Sequence, residues 1–234
     1  MEPFRFKQFS VQHHRSTIKV GTDAVLLGAW ADLADASIIL DIGTGCGVLA
    51  LIAAQRSRGA QVHGVEIDDA SAEEAVENAA ASPWPDRIRI HRMDVRKLRT
   101  SERFDHIISN PPFYAGEEPS PDARKSVAKH GAGLGLGDLA TCIADLMADG
   151  GRASLIVPMN RSEELVGMAM TAGLVLRRRT AVRYVAKRPA KRALLEFRRE
   201  TGPVVNDELV VERTGTKDFT PEYRALVGGL LLNF

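Results

Sequence analysis

Cysteine is nearly absent from the chain. Cys46 and Cys142 are its only two, and without CxxC spacing they offer neither a disulfide framework nor a zinc site. Both are expected to be reduced thiols, as in a cytoplasmic protein. Long apolar runs are lacking as well: stretches such as 24–31 and 38–40 are far too short to cross a bilayer, so no membrane span is expected. The opening residues, Met-Glu-Pro-Phe-Arg-Phe-Lys, lack the apolar stretch and small-residue cleavage site of a secretory signal, which argues against export. There is no internal repeat, low-complexity tract or interdomain linker. What is present suits one globular domain: 234 residues, 44% hydrophobic and 26% charged. We divide it into an N-terminal segment (1–36), a core (37–200) and a C-terminal strand and helix (201–234).

A net charge of +1 conceals an uneven balance. Residues 177–199 hold ten Lys or Arg (Arg177, Arg178, Arg179, Arg183, Lys187, Arg188, Lys191, Arg192, Arg198 and Arg199) against one acid, Glu196, leaving 21 cations against 29 acids elsewhere. Such segregation points to a polyanionic partner; the competing reading is a solvated charged face.

From residue 37, β-rich runs at 38–42, 61–67, 88–93, 106–109 and 152–157 alternate with helix-like segments at 47–57, 69–81 and 136–148. The alternation implies parallel strands joined by right-handed crossovers, a doubly wound α/β sheet. A helix at about 160–172 then leads to strands at 174–183 and 193–199, which the basic, proline-containing loop 187–192 can join only as antiparallel neighbours. Residues 204–211 read as a further strand and 221–232 as a closing helix. The expected architecture is Rossmann-like: a mostly parallel, seven-stranded sheet with a C-terminal antiparallel hairpin.

Residues 38–47, Ile-Ile-Leu-Asp-Ile-Gly-Thr-Gly-Cys-Gly, run a buried strand into a glycine-rich turn and then a helix. Gly43 and Gly45, with Thr44 between them, permit positive φ and close approach, and the helix N-terminus offers unpaired N–H groups to a ligand carboxylate. The spacing departs from GxGxxG, and Asp41 would repel a pyrophosphate while accepting from the ammonium of a methionyl group. The second strand ends in Glu66, placed to take ribose hydroxyls in a bidentate manner. The third ends at Asp94, placed to accept from an adenine amine, with Ile67 and Val95 flanking the ring. Each feature alone is as often a bare turn or a solvated acid. Their recurrence after three successive strands points to S-adenosylmethionine, released as S-adenosylhomocysteine, and to the class I methyltransferase fold, which ends in such a hairpin.

A fourth strand stops abruptly in Asn110-Pro111-Pro112-Phe113. Two prolines remove backbone donors and restrict φ, leaving the carbonyls of Asn110 and Pro111 without local strand partners. With the Asn110 side-chain oxygen they would accept both hydrogens of a substrate NH2 and direct its lone pair toward the sulfonium methyl. Phe113 would stack on the planar group carrying the amine. The competing reading is a Pro-Pro turn that ends a strand, with Phe113 in the core.

Here the chain resembles the bacterial tRNA(Val) adenine-N6 methyltransferases, which modify the adenine just 3′ of the anticodon. The likeness takes in DIGTGCG (41–47), NPPF (110–113), the stretches 4–9 and 19–30, and the segment 223–234, and so covers nearly the whole chain. It implies that residues 19–23 close over the methionyl end of the cofactor, with Lys19, Gly21 and Thr22 contributing and Thr22 near the carboxylate. It also implies that 110–113 hold the target amine, and that the partner is tRNA or another structured RNA. His14, before Arg15, departs from the family pattern, in which an acid often stands there. The adjacent His13 and His14 read as a surface pair rather than a metal site, since neighbouring residues point apart and no third ligand is evident. Arg124, Lys125, Lys129 and His130 would join the basic block in lining a backbone path, and a single-stranded loop suits the pocket better than a duplex. The alternatives are another planar nitrogen, guanine N2 in ribosomal RNA or the glutamine amide of a release factor, and a non-catalytic RNA-binding module. Amide methylases carry an extra helical N-terminal domain, whereas about 36 residues precede the first motif here. A module would show a degraded motif, and none of the expected acids or glycines is missing.

Overall fold

The computed structural model of the protein describes residues 2–111 and 133–234. Phe4–Arg5 (β1) and Ser10–Val11 (β2) pair as a small antiparallel hairpin ahead of Thr22–Trp30 (α1). The sequence registers α1 only as an apolar run within a closing segment. It is a buried helix, apolar on nearly every side from Ala24 to Trp30, because it lies between α2 and the sheet. A side chain on Gly28 would come within 2.7 Å of Ile52, so glycine sets that close helix approach.

Then come Ile38–Ile42 (β3), Val48–Arg56 (α2), Gln61–Glu66 (β4), Asp69–Ala80 (α3), Ile88–Arg92 (β5) and Phe104–Ser109 (β6). Leu136–Leu146 (α4), Met147–Pro158 (β7), Ser162–Thr171 (α5), Val175–Val185 (β8), Arg192–Arg198 (β9), Val205–Glu212 (β10) and Pro221–Val227 (α6) complete the described elements. The sheet order is β10-β8-β9-β7-β6-β3-β4-β5, with β9 antiparallel to both neighbours and every other pair parallel. Apolar clusters cover both faces: α1, α2 and α6 on one, α4 and α5 on the other.

Three expectations change in detail. The sheet has eight strands rather than seven, because β10 adds itself parallel to β8 and supplies Asp207 and Glu208 to the arginines of that strand. Strand β7 begins at Met147 rather than 152: Asp149-Gly150-Gly151 is absorbed as a bulge, with pairing jumping from Phe104–Met147 to His106–Arg152. Helix α6 stops at Val227, where Gly228-Gly229 lowers helix propensity, instead of running to 232. Lys7 ties the N-terminal hairpin to the chain end, its Nζ donating to the carbonyls of Gly228 (2.6 Å) and Phe234 (2.8 Å).

Candidate active site

Parallel pairing brings the chemistry-bearing strand ends to one edge. Ile42 of β3 stands between Val65 of β4 and Ser109 of β6, so Gly43, Glu66 and Asn110 leave three adjacent strands at one level. Ser109 Oγ donates to the Ile42 carbonyl at 2.8 Å and fixes the exit of Asn110 beside the glycine turn. In that turn Gly43 has φ +73° with open space where a Cβ would point, and Gly47, the N-cap of α2, has φ +84°. Both are left-handed conformations that glycine adopts without strain. A cavity of about 530 Å³ opens there, within the usual range for small-molecule sites.

The wall contains Gly43, Thr44, Gly45, Glu66, Ile67, Asp94, Val95, Asn110 and Pro111, together with Lys19 from the N-terminal segment. Asp41, Gly21 and Thr22 are not in it. Gly21 and Thr22 begin α1, whereas Asp41 is fully buried beneath the turn, where its Oδ2 accepts from Thr44 Oγ1 at 2.6 Å. Its other oxygen has no hydrogen-bond partner, and burial, with the charge of Glu66 adding to it, pushes the carboxyl up to about 7 against the opposing Thr44 bond. The Thr44 hydroxyl is thus turned inward, and direct contact between Asp41 and a ligand ammonium is not part of this geometry. Pro112, Phe113, Arg124, Lys125, Lys129 and His130 lie outside the described residues.

Glu66 does more than the sequence suggests. Its Oε2 accepts from Gly45 N and its Oε1 from Ile67 N and Asp68 N, each at 2.9 Å, so one carboxylate ties the glycine turn to the β4–α3 turn. Burial raises its pKa, and these three bonds oppose the rise. A carboxylate has about four lone-pair sites, so about one remains for a ligand hydroxyl rather than the two of a bidentate grip. Asp94 is gripped by a residue the sequence reading passed over: Arg96 Nη2 lies 2.6 Å from Oδ2, Nε 3.0 Å from both oxygens and the backbone N 2.9 Å from Oδ1. These bonds hold the Asp94 carboxyl below its usual range. Beside it, Ile67 is 57% exposed, a large apolar side chain at the rim with Val95 and Met93 nearby in the wall.

The roof comes from a strap at 12–19, and its anchor, Glu74, was not legible in the sequence. Glu74 lies fully buried on α3. Its Oε1 accepts from His14 N (2.8 Å) and Arg15 N (3.0 Å), and its Oε2 from Ser16 N (2.8 Å). One turn away on either side, Ser71 Oγ accepts from Thr17 N (3.2 Å) and Asn78 holds both backbone groups of Gln12 (2.8 Å each). His13 and His14 are therefore parts of a docked strap. Lys19 Nζ closes it by donating to the carbonyls of His13 (2.6 Å) and His14 (3.1 Å). An acid, a serine and an asparagine along one helix face give no sequence signal until the strap is seen against them.

The basic block divides. Arg178, Arg179, Arg183, Arg192 and Arg198 form ion pairs of 2.7–3.1 Å with Asp207, Glu163, Glu208, Asp23 and Glu196. Arg177 and Arg199 donate to backbone carbonyls. As a whole, the run is not the open cationic surface that its sequence suggests. No group of His, Cys, Asp and Glu suited to a metal ion occurs among the described residues, and no helix among them is long and apolar enough to cross a membrane.

An eight-stranded, mostly parallel sheet with an antiparallel β9, a glycine turn after its first strand and an Asn-Pro turn after its fourth define a methyltransferase of the Rossmann-like class. Residues 14–135 match the family described as "Methyltransferase small domain". A crystal structure from Agrobacterium tumefaciens, titled as a predicted O-methyltransferase, superposes with a TM-score of 0.67 at 25% identity, covering 89% of this chain and 96% of that one. Curated proteins named tRNA1(Val) (adenine(37)-N6)-methyltransferase match over nearly the full length. That of Phocaeicola vulgatus is 39% identical, covering 98% of this chain and 97% of its own; that of Salmonella typhi is 40% identical, covering 98% and 94%. The chain belongs to the tRNA1(Val) (adenine(37)-N6)-methyltransferase family.

Proposed function

We propose that the protein uses S-adenosylmethionine to methylate the exocyclic N6 amine of an adenine in tRNA, the adenine beside the anticodon of a valine tRNA, in the cytoplasm. The observation that carries the reading is Asn110: it shares the wall of the glycine-turn cavity, and its side-chain amide has no hydrogen-bond partner among the described residues. The relatives' names supply the nucleotide and the tRNA.

The residues of the wall fit the cofactor. The exposed Ile67 with Met93 and Val95 offers an apolar slot for an adenine ring, and Glu66 keeps about one acceptor site for a ribose hydroxyl. The open space at Gly43 lets the methionyl portion lie against the backbone, and the buried Asp41 contributes negative charge from beneath the turn when ionised. Bound there, S-adenosylmethionine supplies an electrophilic methyl group on a sulfonium.

Asn110 Oδ1 and the backbone carbonyls of Asn110 and Pro111 would accept the two amine hydrogens, turning the nitrogen lone pair out of conjugation and toward the methyl group. The nitrogen would bond to the methyl carbon before losing a proton, as the bond from that carbon to sulfur breaks and S-adenosylhomocysteine leaves. The positive charge formed on the nitrogen is stabilised by the same acceptors, and the proton leaves afterwards to water. No tuned base is needed, since orientation and electrostatics lower the barrier. A primary amine presents two hydrogens to paired acceptors where a hydroxyl presents one, which favours nitrogen over an ether-forming hydroxyl. Mass spectrometry of nucleosides from unmodified tRNA, treated with enzyme and methyl-labelled cofactor, should find the label in N6-methyladenosine. Label confined to guanosine, or to protein, would overturn the assignment.

A further inference from the structure

We infer that the β8–β9 turn, through Lys187, Arg188 and Lys191, is the contact that holds the sugar-phosphate backbone of the RNA beside the methyl-transfer site. The inference rests on the proposed RNA substrate and goes beyond it in assigning three residues out of a run of ten.

Of the ten cations between 177 and 199, seven are engaged by acids or carbonyls, as described above. Lys187, Arg188 and Lys191 are exposed, and no side-chain partner satisfies any of them among the described residues. All three fall in one turn. The sheet register says where that turn stands. Ser109 pairs with Leu155, whereas β7 runs on to Pro158, which pairs with Arg192 at the start of β9. The turn before Arg192 therefore rises about 10 Å above the level at which Asn110 leaves β6, at roughly 3.3 Å per residue. Laterally, β8 is three strands from β6, on the order of 15 Å. These unpaired cations thus rise over the same sheet edge as Asn110, within a few nucleotides of a base held there.

The turn is also stiff. Asp23 at the start of α1 accepts from the Tyr184 hydroxyl and, at 2.7 Å, from Arg192 Nε, while the Lys191 carbonyl accepts from Met159 N (3.0 Å) and Lys191 N donates to the Val182 carbonyl (2.9 Å). Tyr184, Arg188, Pro189 and Lys191 help line a cleft of about 350 Å³, with cationic side chains around one aromatic ring. A cationic concavity on a rigid hairpin complements a phosphate backbone in charge, and its cations need not be pulled from existing ion pairs to bind one.

The test measures tRNA binding against salt for the parent and for variants of the full chain. Removing three phosphate contacts lowers the log–log slope by about 2 to 3, so between 50 and 200 mM salt Lys187→Ala/Arg188→Ala/Lys191→Ala should lose about 20- to 40-fold less affinity than the parent. A charge-reversal version with Glu at the three positions should bind more weakly still. Arg58→Ala/Arg103→Ala, at the opposite edge of the sheet, should keep the parental slope. Melting temperature and cofactor affinity should not change in the triple variant. A parental slope in both turn variants, or an equal loss in the opposite-edge control, overturns the assignment. Labelled-nucleoside analysis keeps the two proposals apart. RNA methylation with an unchanged slope sinks the turn alone. A lowered slope without methylated adenine sinks the substrate alone, and a parent that binds no tRNA sinks both.

Discussion

Glu74 is the residue whose replacement should reveal how the cofactor cavity is closed. Its fully buried carboxylate collects three consecutive backbone amides, of His14, Arg15 and Ser16, at 2.8–3.0 Å. Glu74→Gln keeps the size and one acceptor. If the carbonyl oxygen keeps His14 and Arg15, the new NH2 group faces Ser16 N, donor against donor. One charge-assisted bond, ~1.5–3 kcal/mol, is lost and the other two fall to neutral strength, so we expect a loss of about 3 kcal/mol in holding the strap.

That loss falls on the strap before it falls on the whole fold, because the core clusters lie elsewhere and only Thr17, Ile18 and Lys19 of the strap enter the cavity wall. If closure is worth about 2 kcal/mol in the parent, the variant is closed in roughly one molecule in six, and its apparent affinity for S-adenosylhomocysteine falls about sixfold. Calorimetry measures the affinity, and hydrogen exchange of the amides of residues 14–16 measures the opening. A folded Glu74→Gln variant with parental affinity and undiminished protection at those amides would refute the reasoning.

Other outcomes follow from the same geometry. Asn110→Ala should lose most turnover while keeping cofactor affinity, since its acceptor matters as charge develops on the amine; comparable turnover at saturating tRNA would remove it from the reaction. Glu66→Ala should weaken cofactor binding by about 1.5–3 kcal/mol for the ribose contact, and more if the glycine turn it ties also loosens; unchanged calorimetric affinity in the folded variant would remove it from the site. Asp41 sets a pH dependence in the ligand-free protein. Its folded pKa, about 7, lies well above the ordinary aspartate range, so the folded state holds the proton more tightly. The stability it contributes is full below the unfolded value and is lost as pH rises through 7. Asp41→Asn should lack this loss and melt higher, relative to the parent, at pH 8 than at pH 4; a parallel pH profile in thermal melts would show that the group titrates normally.

The strand ends were legible because their logic is local. A buried run, a glycine turn and an acid after each of three strands are read within a few residues, and parallel pairing then brings the ends of β3, β4 and β6 to one level. The details that change the chemistry were not local. Glu74 lies 58 residues from Ser16, and nothing near it shows that a strap will dock on α3. At Asp94 the partner is only two residues away, but whether Arg96 folds back or points outward depends on the 3-10 turn at Val95–Lys97 and on Asp138, brought in by α4. The inward turn of Thr44, too, follows from the burial of Asp41, which strand pattern alone leaves open at the last residues of β3.

The basic run shows the same limit from the other side. Sequence counts ten cations and measures a segregation of charge, but four of the five acids that answer them come from α1, α5 and β10, up to 169 residues away. Arginines on β8 were bound to find partners once β10 paired beside them, since Asp207 stands opposite Thr180 and Glu208 opposite Ala181, within reach of Arg178 and Arg183. A charge count therefore overstates an interface whenever the cations sit on a strand with an acidic neighbour. It holds where the backbone leaves the sheet and no neighbouring strand can follow, and in this run that place is the turn at 187–191. The same exit from the sheet that frees those side chains also puts them at the edge where Asn110 stands.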